Sequence, residues 1–277
     1  WSPHLQNFTR VTAVAPFGDQ VVFAQRGTSA PFIQVVDNTT GEAQACEWTG
    51  GIGSPHGMFI NGTSLFVTDV GAHTVQQFAL TPDSACKPRL VATWGTAGTA
   101  GSSLSPLQFG NVADVAVTSG GSVCMSDGDG GVNNRVVCVV PPSTLKFTIG
   151  GAAAGTKPSE FNSPHSIAYH PQANLLWVAD RGNARLQAFD ADTGVYVGEW
   201  TCLAPGTPWG VRVFQGMLIV ADGTNGSLSV LDLTKVTSTS LGQCTVVQTI
   251  NLSVAMVPHE LGVDAESGAV YLAEVGS

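Results

Sequence analysis

Apolar runs of four to six residues recur along the chain, each stopped by a short polar stretch rich in Gly, Asn, Asp or Pro. The pattern is clearest at Ser166–Tyr169, Leu175–Ala179, Arg185–Phe189 and Val195–Trp200, separated by Pro171–Asn174, Arg181–Asn183 and Asp190–Gly194. Segments this short, bounded by turn-forming residues, read as the strands of one antiparallel sheet. Related units begin near Val11, Pro55, Val112, Pro208 and Pro258, a period of ~45–55 residues that matches propeller blades. The expectation is an all-β, six-bladed β-propeller with four-stranded antiparallel blades, occupying residues 1–277 as a single domain. After Pro258 there is room for only two strands, and residues 1–10 supply at most one more. The last blade is therefore expected to be incomplete unless further chain or a partner covers its edge.

Two positions recur within the units. Phe66-Val-Thr-Asp69, Cys124-Met-Ser-Asp127, Val178-Ala-Asp180 and Val220-Ala-Asp222 end the second strand, and Trp48, Trp94 and Trp200 close the outer one. Both read as structural, the Asp accepting hydrogen bonds from turn amides and the Trp packing between blades.

A third recurrence has no such role. Pro55-His56, Pro164-His165 and Pro258-His259 open units two, four and six, whereas units one, three and five carry Val, Val and Trp-Gly there. Alternate blades of a six-membered ring are ~120° apart, and the innermost strands line the central channel. Three imidazoles would meet near the axis, as the three protein ligands of a catalytic zinc with a fourth position open. A lone Pro-His reads better as a capped strand start, but three in alternating register favour the metal. Other divalent transition metals suit the same donor set.

The net charge of −9 and pI near 4.9 leave no basic stripe to displace phosphate counterions, so nucleic acid is excluded as a partner. No apolar run approaches the ~18–20 residues of a membrane-spanning helix. The first residue is Trp1 rather than Met, as expected once a signal peptide has gone. Sequons at Asn7, Asn38, Asn61, Asn225 and Asn251 and an even number of cysteines point to a secreted, disulfide-bonded glycoprotein. Six cysteines allow fifteen pairings, among which sequence alone does not choose. Cys124–Cys138 is favoured because the two flank one turn, and Cys46–Cys86 and Cys202–Cys244 because they are sequence neighbours.

Taken together, Val21-Val-Phe-Ala-Gln-Arg-Gly27, Pro55-His-Gly-Met58, Val67-Thr-Asp-Val-Gly-Ala-His73, Val112-Ala-Asp-Val-Ala-Val117, Ser126-Asp-Gly128 with Asn134-Arg135, Pro164-His-Ser166, Val178-Ala-Asp-Arg-Gly-Asn-Ala-Arg-Leu-Gln187 and Pro258-His-Glu260 resemble the lyase domain of peptidylglycine α-amidating enzymes. That domain is a six-bladed propeller related to NHL repeats, and the similarity runs with gaps from about Val11 to Glu274. The resemblance implies a zinc (Zn2+) on His56, His165 and His259, and cleavage of a peptidyl-α-hydroxyglycine to a peptide amide and glyoxylate. It implies substrate-binding roles for Arg26 and Arg181. It also implies a structural calcium (Ca2+) held by Glu260, where the family has Asp, and by backbone carbonyls placed at Val11 and Met58. The implied partners are C-terminally hydroxyglycine-extended peptides and an amidating monooxygenase domain, in the same polypeptide or another.

The chain departs from this family in one loop. A tyrosine that follows Ser-Asp-Gly there, thought to be the base, is missing from Ser126-Asp-Gly-Asp129-Gly-Gly-Val-Asn-Asn-Arg135, as is its neighbouring cysteine. Asp129 is the candidate replacement base. The alternative is a non-catalytic extracellular NHL-type propeller that binds peptides or proteins, with the metal as a structural pin. A lactonase-like calcium hydrolase ranks behind both, since it needs axial Asn, Asp and Glu in place of the histidines.

Overall fold

The structure, a computed structural model, describes residues 10–27, 32–46, 48, 51–81, 84–252 and 256–275. The Asn7 sequon and a closing strand from residues 1–9 lie outside these. Every regular element apart from one short 3-10 turn is a strand, as the short apolar runs predict. The first sheet is β1 (Val11–Phe17), β2 (Gln20–Gln25) and β3 (Ile33–Asp37). The second is β4 (Pro55–Asn61), β5 (Ser64–Asp69), β6 (Thr74–Thr81) and β7 (Ser84–Trp94). The third is β8 (Val112–Val117), β9 (Val123–Asp127), β10 (Asn134–Val140) and β11 (Thr144–Gly151). The fourth is β12 (Pro164–His170), β13 (Leu175–Asp180), β14 (Arg185–Asp190) and β15 (Tyr196–Trp200). The fifth is β16 (Pro208–Phe214), β17 (Met217–Asp222), β18 (Ser227–Asp232) and β19 (Val246–Asn251), and β20 (Pro258–Val263) pairs only with β21 (Val270–Glu274).

All pairings are antiparallel between consecutive strands, and each sheet is a meander. The first strands β1, β4, β8, β12, β16 and β20 pack on one another in that order, and β20 closes on β1. The expectation of six four-stranded blades is corrected. The described residues form five blades, four of four strands and one of three, and a two-stranded hairpin takes the remaining place in the ring. Among the described residues, two strands follow β19.

Apolar side chains fill the spaces between blades. Trp94 closes β7 and packs with Phe66, Phe109 and Val112, joining the second and third blades. Trp200 does the same between the fourth and fifth, tilted against Trp177 at 4.6 Å between ring centres. Both buried indoles donate their N–H, Trp94 to the Pro142 carbonyl at 2.7 Å and Trp200 to that of Gly242 at 3.3 Å. Trp48 meets Phe78 edge-on. The recurrent aspartates work as expected. Asp69 accepts from the amides of Gly53, Ser54, Gly71 and Ala72, and Asp222 from those of Thr207, Thr224 and Asn225, so each ties the loop entering its blade to the turn leaving its second strand.

The disulfides are Cys46–Cys86, Cys124–Cys138 and Cys202–Cys244. The second bridges directly opposed residues of β9 and β10, and the other two link neighbouring blades. Among the described residues, no helix is long and apolar enough to cross a membrane.

Candidate metal centre

Each inner strand opens with a register shift against its partner, at Val11/Ala13, Pro55/Met58, Val112/Asp114, Pro164/Ser166, Pro208/Gly210 and Pro258/Leu261. The extra residues include Thr12, His56, Ala113, His165, Trp209 and His259. A β-bulge re-aims the side chain it carries, and here it turns the histidines into the channel. The phase is therefore one residue later than the Val11 and Val112 read from sequence. A hydroxyl from the second strand completes two of these bulges. Thr68 Oγ1 accepts from Gly57 N at 2.7 Å and donates to the Ala113 carbonyl at 2.9 Å, while Ser126 Oγ accepts from Asp114 N and donates to the His165 carbonyl. This is the physical content of the Val-Thr-Asp and Met-Ser-Asp motifs. Gly57 must be glycine, since a Cβ there would lie 2.3 Å from the Ala113 carbonyl oxygen.

The three rings form a near-equilateral triangle, with centroids 4.8, 4.6 and 4.8 Å apart. His56 Nδ1 donates to Ala113 O at 2.9 Å, His165 Nδ1 to Trp209 O at 2.8 Å and His259 Nδ1 to Thr12 O at 2.7 Å. Each histidine-bearing strand is thus held by the bulge carbonyl of the next strand round. That fixes the tautomer and leaves Nε2 as the lone-pair nitrogen. All three histidines are buried, the group's ligand atoms lie within 4.8 Å of one another, and it is the one such cluster among the described residues. His56 Nε2 and His165 Nε2 have no hydrogen-bond partner. Burial, then the neighbouring His259 and His56, push the His165 imidazole well below the ordinary histidine range, and burial followed by His56 pushes His259 down to about 3. Two of the rings are thus held neutral, and the oriented Nε2 atoms suit a transition metal.

A cavity of about 310 Å³ opens above the cluster, lined by Arg10, Arg26, Arg181, Asp129 and Trp209 with His56 and His259. Arg26 Nε donates to the Pro55 carbonyl at 3.0 Å, and burial lowers its pKa. Asp129 Oδ1 accepts from Arg181 Nη2 at 3.0 Å, and Oδ2 stands 3.0 Å from His56 Nε2, off the line of a hydrogen bond. Burial raises the Asp129 carboxyl, but its contact with His56 and the charge of Arg181 outweigh burial and hold it well below the usual carboxylate range. The loop is pinned through Asn111, which donates Nδ2–H to Asp129 O and accepts the amides of Gly128 and Asp129.

The calcium site implied by the resemblance does not fit. Met58 O and Glu260 do lie on the axis below the histidines, but Arg212 is there with them. Its Nη2 donates to Met58 O at 3.0 Å and lies 3.7 Å from Glu260 Oε2. Val11 starts β1 at the level of Pro55, three positions before the residue that matches Met58, roughly 7–10 Å away along the strand. Its carbonyl cannot share an ion with that of Met58.

Sequence reasoning passed over Arg10, Trp209 and Arg212. The signal for Trp209 was present, since Pro208-Trp-Gly210 repeats Pro55-His-Gly57 with an indole for the imidazole. Arg181 Cζ lies 4.8 Å from the Trp209 ring centre, the stacking that suits a guanidinium. The indole donates Nε1–H to Thr207 Oγ1 and lies over Gly223, where a Cβ would come within 2.5 Å of the ring.

Blades of this construction around a three-histidine centre define a β-propeller of the NHL-repeat class, and the NHL repeat profile matches residues 161–189. The chain is 39% identical over 291 residues to mouse NHL repeat-containing protein 3, covering 100% of this chain and 80% of that one. It belongs to the family of NHL repeat-containing protein 3. It is also 36% identical over 190 residues to mouse peptidyl-glycine α-amidating monooxygenase, covering 66% of this chain and 19% of that protein. A solved luciferin-regenerating enzyme superposes with a TM-score of 0.65 at 11% identity, over 98% of this chain and 85% of that one, a likeness of fold alone.

Proposed function

We propose that this propeller is a secreted zinc-dependent lyase that cleaves peptidyl-α-hydroxyglycine to a peptide amide and glyoxylate. The observation that carries this reading is the convergence of His56, Arg26, Arg181 and Asp129 on one cavity, together with the similarity to an amidating monooxygenase. A zinc ion on His56, His165 and His259 would supply a Lewis acid for the substrate hydroxyl. Arg26 and Arg181 offer guanidinium forks to the terminal carboxylate, and Arg10 adds a third cation at the rim. Trp209 keeps the Arg181 plane facing the cavity. Asp129 is the carboxylate in place of the missing tyrosine, and it accepts the hydroxyl hydrogen bond. As the C–N bond breaks, the hydroxyl proton passes through Asp129 to the departing amide nitrogen, and the carbinol carbon becomes the aldehyde of glyoxylate. Three disulfides and the sequons suit an oxidising, secretory compartment.

One observation favours a non-catalytic peptide- or protein-binding propeller instead. Asp129 already joins Arg181 to the edge of His56, which places the chain's own carboxylate where that of a substrate would bind. Turnover of a hydroxyglycine-extended peptide by wild-type and Arg181→Ala protein decides between the two readings. The lyase reading expects loss of a charge-assisted pair, about 1.5–3 kcal/mol or roughly 10–150-fold in kcat/KM. Folded, metal-loaded wild-type protein that releases no glyoxylate leaves the binding reading.

A further inference from the structure

Beneath the histidines the channel is crossed by one side chain. Arg212 stands in Val211-Arg-Val-Phe214 of β16 and is 6% exposed. Its Nη1 donates to Asp114 Oδ2 and to the Val211 carbonyl, both at 2.7 Å. Its Nη2 donates to Met58 O at 3.0 Å and to Asp114 Oδ1 at 3.2 Å. Ser166 Oγ lies 3.3 Å from Nη1, 2.6 Å from Asp114 Oδ2 and 3.3 Å from Glu260 Oε2. The partners come from β4, β8, β12 and β20, so five of the six inner strands meet at one guanidinium.

Asp114 and Glu260 are both fully buried, and Arg212, 2.7 Å from Asp114 Oδ2, is the cation that a carboxylate in a low-dielectric core needs beside it. Two carboxylates, a backbone carbonyl and a hydroxyl converging on one point are also the oxygen set of a hard divalent cation. The two occupants exclude each other, because the guanidinium engages both Asp114 oxygens and Met58 O. We infer that Arg212 is the resident cation of this axial site, and that Asp114, Glu260, Ser166 and the Met58 carbonyl form a latent divalent-cation cage that the guanidinium keeps closed. The protein therefore holds its ring together without calcium. This inference does not depend on the lyase reading, since calcium binding and stability, not turnover, test it, although Glu260 Oε1 lies 3.4 Å from His165 Nδ1 of the level above.

The test has two arms. In the first, wild-type protein is equilibrated with millimolar calcium, freed of loose ions and assayed for bound metal, and its thermal midpoint is followed against calcium concentration. The expected result is essentially no retained calcium and a flat midpoint, and about one equivalent per chain would overturn the inference. In the second, Arg212→Ala is compared with Arg212→Ala/Glu260→Gln. The single variant should melt well below wild type without calcium and regain stability progressively as calcium is added, following mass action, and the double variant should lose most of that response. If the single variant folds only when calcium is present during refolding, the cage is supported. If it folds in neither condition, or if calcium shifts its midpoint no more than that of wild type, the cage is refuted.

Discussion

His259 commits Nδ1–H to the Thr12 carbonyl and is held neutral by burial, with its pKa near 3. An imidazole in that state is a metal ligand, not a charge. In metal-free protein the same fact sets a pH dependence. The folded-state pKa lies below the unfolded value of about 6.5, so the unfolded chain binds more protons between about 3 and about 6.5. The stability contributed by neutral His259 is fully present above that window and is lost as pH falls through it, at a slope approaching about 1.4 kcal/mol per pH unit for one group. Urea melts of metal-free protein at stepped pH check this, and bound zinc, with which protons compete for the imidazoles, should keep the slope or steepen it. Trp209 acts at one remove, through the Arg181 plane. Trp209→Ala should raise KM more than it lowers kcat, whereas Trp209→Phe, which keeps an aromatic face, should restore most of the KM. The histidines were legible in the sequence because identical Pro-His pairs recurred at one phase. Trp209 stood at the same phase in Pro208-Trp-Gly210 and was passed over, whereas Arg212 was not legible, because it occurs once and carries no period to read.

Among the elements, the bulge at the mouth of each inner strand does the aiming, and it depends on hydroxyls one strand away. Removing the Thr68 hydroxyl strands the Gly57 amide and takes a donor from Ala113 O, the same carbonyl that orients His56. Thr68→Val is nearly isosteric, so its expected cost of about 1–3 kcal/mol comes from unsatisfied polar groups, not from lost volume. It should also weaken zinc binding, which separates it from a merely structural change. Denaturant titration and a competitive zinc chelator measure the two effects. The strands themselves followed directly from runs such as Leu175–Ala179. The bulges did not, because an extra residue at Pro164/Ser166 leaves the apolar pattern unbroken and appears only when the partner strand is in place. The Cys202–Cys244 bridge joins neighbouring blades across a separation of 42 residues. Chain-entropy arguments give its loss a cost of about 4 kcal/mol, to be read as a lowered denaturation midpoint in the Cys202→Ser/Cys244→Ser protein.

At the scale of the whole molecule, the ring is what turns a repeat into a site. β20 packs on both β16 and β1, and its closure onto β1 brings His259 to the Thr12 carbonyl, across 247 residues of sequence. The period announced a propeller, and Pro258-His259 placed a last unit within it, of which the described residues form a two-stranded hairpin. The channel then carries two levels, an upper one of three imidazoles suited to a metal and a lower one filled by Arg212. The upper level faces the cavity with Arg26, Arg181 and Asp129, and the lower one a second cavity that Arg212 and Met58 help to line. A metal on the three histidines is what the proposed reaction needs. Glyoxylate release from an α-hydroxyglycine model peptide should be measured for wild-type protein, for protein stripped of metal and then given zinc, and for His165→Ala. Release by wild type, loss on stripping, recovery with zinc and none from His165→Ala despite an intact fold are expected. No release from folded, zinc-loaded wild type, or equal release from stripped protein, would contradict the proposed reaction.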